Sequence, residues 1–176
     1  MKQEDIMGDL EEFCDAAIKF GAAEAKIVRA EDVVVRDWVR LKCQFGCGGY
    51  NNHLTCPPFS PTPDEMREVL GEYRWGILLR FTPPWEEKIR LTVAKLEREI
   101  FLSGYYKAFG LASGPCRLCD ECNVEEGTCR KPDLARPSME ACGIDVYATA
   151  RRAGFKIEVV RSRDQAPTYY GLVLVE

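Results

Sequence analysis

The sequence has one histidine among 176 residues, and that scarcity removes several chemistries at once. With this single histidine no Ser/His/Asp triad is read, and no phosphate-cradling glycine fingerprint is present. No run approaches the roughly 18 apolar residues of a membrane span, and the start, Met1-Lys2-Gln3-Glu4-Asp5, lacks the apolar core of a signal peptide. These absences predict a cytoplasmic protein without a membrane partner. Clustered basic charge is missing too: 24 Lys and Arg against 28 Asp and Glu leave a net charge of −4, which argues against a nucleic-acid surface. There is no internal repeat and no low-complexity segment. Length and composition predict a single domain, residues 1–176, with a core of its own.

Cysteine is abundant, with nine residues. An odd count in a chain expected in a reducing compartment is not a disulfide framework, and metal binding is the better use for the thiols. The organising stretch is Cys116-Arg117-Leu118-Cys119-Asp120-Glu121-Cys122, followed by Cys129 and Cys142. Two-residue spacers turn the backbone so that successive sulfurs wrap one compact object. Tetrahedral zinc usually takes two separated Cys-x-x-Cys knuckles, whereas a run of three thiols resembles ferredoxin-type ligation of a cubane. An iron–sulfur cluster is therefore expected, with zinc as the alternative. The charges nearby, Arg117, Arg130, Lys131 and Arg136 among six acidic residues, fit either a solvated loop or a set of arginines that tunes a cluster and orients an electron partner.

A second group, Cys43, Cys47 and Cys56, lies among glycines and asparagines that tolerate tight turns. Cys56 precedes Pro57-Pro58, as the last cysteine of a bacterial ferredoxin run precedes proline. The Cys43-x3-Cys47-x8-Cys56 spacing departs too far from the Cys-x3-Cys-x2-Cys of radical enzymes to carry that function. His53 lies between Cys47 and Cys56 and reads more readily as a loop residue than as a ligand.

The remainder supplies a scaffold. Leu10, Phe13, Cys14, Ala17 and Ile18 form one helical face ended by Gly21, so Cys14 reads as a core residue. Glu24–Arg29 reads as a strand, and Val33-Val34-Val35 opens a β-prone or irregular stretch that runs to Cys43. Thr62-Pro63-Asp64-Glu65 is a capping box with proline at the first helical position. Trp75–Phe81 is apolar enough for a central strand. Ile89, Val93, Leu96 and Ile100, after Pro83-Pro84, predict the longest helix, and 108–112 a short strand. Tyr105, Tyr106 and Phe109 read as core. Residues 144–152 read as a helix, Phe155–Val160 alternates as a half-buried strand, and Tyr169–Val175 closes the chain as its antiparallel partner. The order implies an α+β fold: a mixed β-sheet flanked by helices, with two cysteine-rich loops.

With Cys14 set aside, eight thiols remain, the number that two four-thiolate clusters consume. The simplest partition gives Cys116, Cys119, Cys122 and Cys129 to one site. Cys43, Cys47 and Cys56 form the other, completed by Cys142 or by a ligand from outside the protein. Cys43 to Cys47, Thr55-Cys56-Pro57-Pro58-Phe59-Ser60-Pro61-Thr62, Gly114-Pro115-Cys116-Arg117-Leu118-Cys119 and Arg136-Pro137-Ser138-Met139-Glu140-Ala141 resemble a family of predicted metal-binding proteins, a domain of unknown function in anaerobic archaea and bacteria. The resemblance spans nearly the whole chain and implies cysteine-ligated metal without naming a reaction. The expected protein carries one or two [4Fe-4S] clusters and exchanges electrons with a larger redox protein. The alternatives are a redox enzyme with an open iron at Cys43, Cys47 and Cys56, or a zinc-stabilised interaction module.

Overall fold

The computed structural model describes residues 3–83, 88–162 and 164–176. Its sheet has the order β1-β2-β4-β3, with β1 Glu24–Arg29, β2 Trp75–Phe81, β3 Phe109–Leu111 and β4 Tyr169–Leu174. Every pairing is antiparallel, with Ile77 opposite both Ile27 and Val173. The fold is α+β as expected, but no parallel pair is formed by the described strands, so the sheet is not mixed.

Side chains alternate across a strand, and β2 shows why its run is apolar throughout. Ile77, Leu79 and Phe81 pack on one face with Val173 and Val175. Leu78 packs on the other with Val28, Leu172 and Leu174. The first face is covered by α1 Gln3–Phe20 and α4 Lys88–Leu102, which present Leu10, Phe13 and Ala17, and Ile89, Val93, Leu96 and Ile100. At 18 residues against 15, α1 and not α4 is the longer helix. Cys14 rests half-buried against this layer, in keeping with its reading as packing. Glycine at 110 lets α4 lie flat on β3, because a Cβ there would stand 2.5 Å from a Val93 methyl.

The second face is covered by α3 Pro63–Gly71, α5 Val146–Arg152 and irregular chain carrying Val33, Val35, Met139, Cys142, Ile144, Phe155 and Ile157. The capping box at Thr62 and Glu65 is formed as read. Three expectations fail here. Phe155–Val160 is not a strand: Phe155 and Ile157 are buried and Lys156 and Glu158 exposed, but the segment lies on the sheet face without joining its ladder. Its period of two reflects an extended chain packed on one side, so the expected antiparallel pair with β4 does not exist. Tyr106 and Phe109 are not core, being 79% and 38% exposed, whereas Tyr105 is buried against Phe13. The stretch expected as β-prone up to Cys43 contains α2, Trp38–Gly46. Pro84, expected ahead of α4, and Arg163, in the expected link between the last two strands, lie outside the described residues, as does the Met1-Lys2 start.

Candidate metal centre

Cys116, Cys119, Cys122 and Cys129 line one pocket with His53, Leu54, Thr55, Arg130 and Lys131. No helix or strand occurs between Leu111 and the 3-10 turn Glu140–Cys142, so the thiols hang on a long irregular segment of the kind that serves function. The segment's own backbone bonds are few and local, such as Gly127 N–H to Val124 O at 3.1 Å. Basic side chains supply others: Lys131 Nζ donates to Leu118 O at 2.6 Å and Arg130 to Glu121 O at 3.3 Å. Both cations are thus turned onto carbonyls of the loop itself.

The segment is anchored from α4. Arg136 forms a two-pronged ion pair with Glu97, both contacts 2.5 Å, and Glu97 also accepts from Gly110 N–H at 2.8 Å. Two helical turns earlier, the buried Arg90 donates to Arg136 O and to Gly114 O. Its guanidinium lies close enough to Cys116 and Cys56 for both thiols to act on it, opposing the desolvation that lowers its pKa. Sequence reading missed Arg90 and Glu97. Among the other charged residues of the amphipathic α4, Lys88, Lys95, Arg98 and Glu99, nothing in the pattern singled these two out.

Cys43, Cys47 and Cys56 gather beside this pocket. Cys43 is on the last turn of α2, not in a loop, Cys47 is exposed just beyond it, and Cys56 is buried. The chain between them is held against the sulfurs at Gly49, whose amide donates to Cys47 Sγ at 3.4 Å. A Cβ on Gly49 would stand 3.2 Å from Cys56 Sγ and 2.9 Å from Pro115 Cβ. Only glycine fits there without displacing a neighbour. The two groups of thiols are also cross-braced: Leu54 N–H donates to Cys122 Sγ at 3.4 Å, and the Cys56 thiol, pushed up by burial, accepts from the Cys116 amide, which opposes that rise in small part. His53 faces the Cys116–Cys129 pocket, and desolvation, then Arg90 and Arg117, hold its pKa down.

Around Cys43 the fold adds groups that the spacing did not flag. The turn Glu140–Cys142 is tied to α2 and to the chain after Cys56: Arg40 donates to Pro61 O at 2.8 Å and Ala141 O at 2.9 Å, and Ser60 Oγ to Ala141 O at 2.7 Å. Cys43 Sγ donates to Glu140 O at 3.7 Å. The Cys43 thiol is pushed up to about 11 by burial and next by the Glu140 carboxylate. Cys142 is wholly buried among Met139, Ile144 and Leu174, and burial pushes its thiol up to about 12. Glu140 keeps some residue surface, but its Oε2 is sealed from solvent without a hydrogen-bond partner.

The donor chemistry suits a thiophilic metal, since the side chains gathered here are soft sulfur ligands and backbone N–H groups reach sulfur in both groups. Comparison with known families matches residues 26–175 to the family described as predicted metal-binding protein (DUF2284). The chain belongs to that family. No curated protein and no solved structure matches it. Membership supplies metal binding and no reaction, in line with the resemblance read from the cysteine motifs. Among the described residues, no three His, Cys, Asp or Glu side chains converge on a point as ligands of a single ion do. Neither is any helix of those residues long and apolar enough to cross a membrane.

Proposed function

We propose that the protein binds two iron–sulfur clusters of the [4Fe-4S] type side by side, and exchanges electrons with a larger redox protein. Cys116, Cys119, Cys122 and Cys129 hold the first. Cys43, Cys47 and Cys56 hold the second. The observation that carries this reading is the contact between the two groups, where Gly49 lies against Cys47, Cys56 and Pro115 together. Electron carriers need closely spaced centres, and a site whose only task is to staple one loop does not. N–H···S bonds and the buried Arg90 beside Cys56 and Cys116 are the features by which a protein sets cluster potential. When bound, the clusters supply the one-electron chemistry; the chain holds them and shapes their surroundings.

Protein purified without oxygen should be brown, contain iron and acid-labile sulfide in comparable amounts, and lose visible absorbance on reduction. Stoichiometric zinc without sulfide would overturn the reading. The zinc alternative has one observation in its favour: the pocket that Cys116, Cys119, Cys122 and Cys129 line together with His53, Leu54, Thr55 and their neighbours has a volume of about 20 Å³, room for a single water-sized sphere. A cubane needs the loop to open further. An ion needs the thiols to close in, to about 3.8 Å between sulfurs if each Zn–S bond is about 2.3 Å.

A further inference from the structure

Thiolate metal sites need three or four ligands at one point, and no three His, Cys, Asp or Glu side chains among the described residues meet in that way. Two thiols do come close to one another. Cys56 Sγ and Cys47 Sγ lie 3.2 Å and 3.6 Å from a single point, the place where a Cβ on Gly49 would stand, and glycine leaves that point open. The chain between them is folded back on itself: Tyr50 N–H donates to Cys47 O at 3.5 Å, Asn51 N–H to Pro57 O at 2.7 Å and Cys56 N–H to His53 O at 2.9 Å. The two cysteines are therefore held as neighbours by backbone bonds that involve no metal. Both are free thiols here, and their exposures differ: Cys47 is exposed, whereas Cys56 is buried. Access decides which sulfur a dissolved disulfide meets first. The other thiols nearby are worse placed, since Cys43 Sγ is directed to Glu140 O at 3.7 Å and Cys142 is sealed in the apolar cluster on the sheet's second face.

We propose that Cys47 and Cys56 are a disulfide-forming pair, oxidised by a low-molecular-weight disulfide such as oxidised glutathione whenever no metal occupies them. The Cys47 thiolate attacks one sulfur of the oxidant, so that a mixed disulfide forms and one thiolate leaves. The Cys56 thiolate then attacks the Cys47 sulfur; the internal S–S bond forms and the second thiolate departs. Two protons and two electrons pass from the pair to the oxidant, which ends as two thiols. Closing the bond withdraws two of the three cysteines of the second group from metal, and a thiol reductant gives them back. The bond itself needs no metal. Its consequence, a redox gate on metal uptake at the second group, rests on the metal-site reading above.

The test treats full-length protein, stripped of metal by a chelator without oxygen, with oxidised glutathione, then alkylates the free thiols and reads peptide maps by mass. Cys47 should be found linked to Cys56, and dithiothreitol should reverse the link. Cys56→Ser should leave Cys47 carrying glutathione, and Cys47→Ser should leave Cys56 unmodified over the same interval, with circular dichroism checking the fold of both variants. Linkage of Cys47 to any other cysteine would overturn the proposal, as would a stable glutathione adduct on Cys47 in the unaltered protein. Repeating the reaction on metal-loaded protein tests the site reading separately. Bound metal should slow the bond about tenfold or more; an unchanged rate would remove Cys47 and Cys56 as ligands while leaving the pair standing.

Discussion

Cys43, Cys47 and Cys56 sit where regular structure begins and ends, between α2 and the capped start of α3, while Cys116 to Cys129 are strung on a segment with no helix or strand among its residues. The first group is held by the fold: Arg40, Ser60 and the Glu140–Cys142 turn fasten it to the sheet's second face. The second is held at its two ends from α4, by Arg90 at Gly114 O and Arg136 O and by Glu97 at Arg136, and between them by the Leu54 bond to Cys122 and short-range bonds of its own. Where a scaffold already fixes the ligands, metal adds affinity and chemistry. Where it does not, ligation free energy is also folding free energy.

Removing metal should expose that difference most. Hydrogen exchange in residues 113–135 should speed up at least tenfold more than in 38–46 and 56–71, since local opening follows the number of fixed contacts. Equal acceleration in both would mean that one metal-dependent unit spans them. Glu97→Ala ranks next: it leaves Arg136 half-buried without its partner and frees one end of the 113–135 segment. A loss of about 3 kcal/mol in denaturant titration is expected, the low end for a broken buried pair. Cys43 reactivity in the same variant should hardly change. If it rises with the rest, the two regions are not separately anchored.

Gly49→Ala addresses the seam itself. Its Cβ would press on Pro115 and Cys56, so a cost of about 1–2 kcal/mol is expected from overpacking, with weaker metal binding at both groups in a chelator competition. Weakening at one group alone would show that the contact transmits nothing. The smallest effect concerns pH. In metal-free protein the Cys142 thiol is held near 12 against an ordinary 9.0, so the unfolded chain loses that proton first. Stability is therefore whole below about pH 9 and declines from there toward 12, by on the order of 1 kcal/mol at pH 9.5. Cys142→Ala should flatten that decline, whatever it does to stability at pH 7.

How much of this was legible depended on whether pattern and environment agreed. Trp75–Phe81 and the Thr62 capping box were readable because each follows a local rule that the tertiary structure leaves intact. α2 was not, because its polarity is inverted: Val39, Arg40 and Cys43 turn inward while Trp38, Leu41 and Phe45 are 47%, 56% and 78% exposed. Phe155–Val160 misled in the opposite way, with strand periodicity and no partner strand. For the candidate site, spacing singled out eight thiols but could not reveal which neighbours the fold sets beside them. Arg90 and Glu97 are two charges among several on an amphipathic helix, and Glu140 looks like one acid among many until its oxygen is found sealed.

Gly49 and Pro115 meet across sixty-odd residues of chain, and a ribosome delivers them in that order. Cys43, Cys47 and Cys56 are made while the wall that will close over them is still unsynthesised, and α4, which anchors that wall, comes later than all three. Domains condense as their sequence becomes available. The N-terminal thiols therefore pass through an interval in which they are open to metal, oxidant or one another, and that interval ends only when Pro115 arrives.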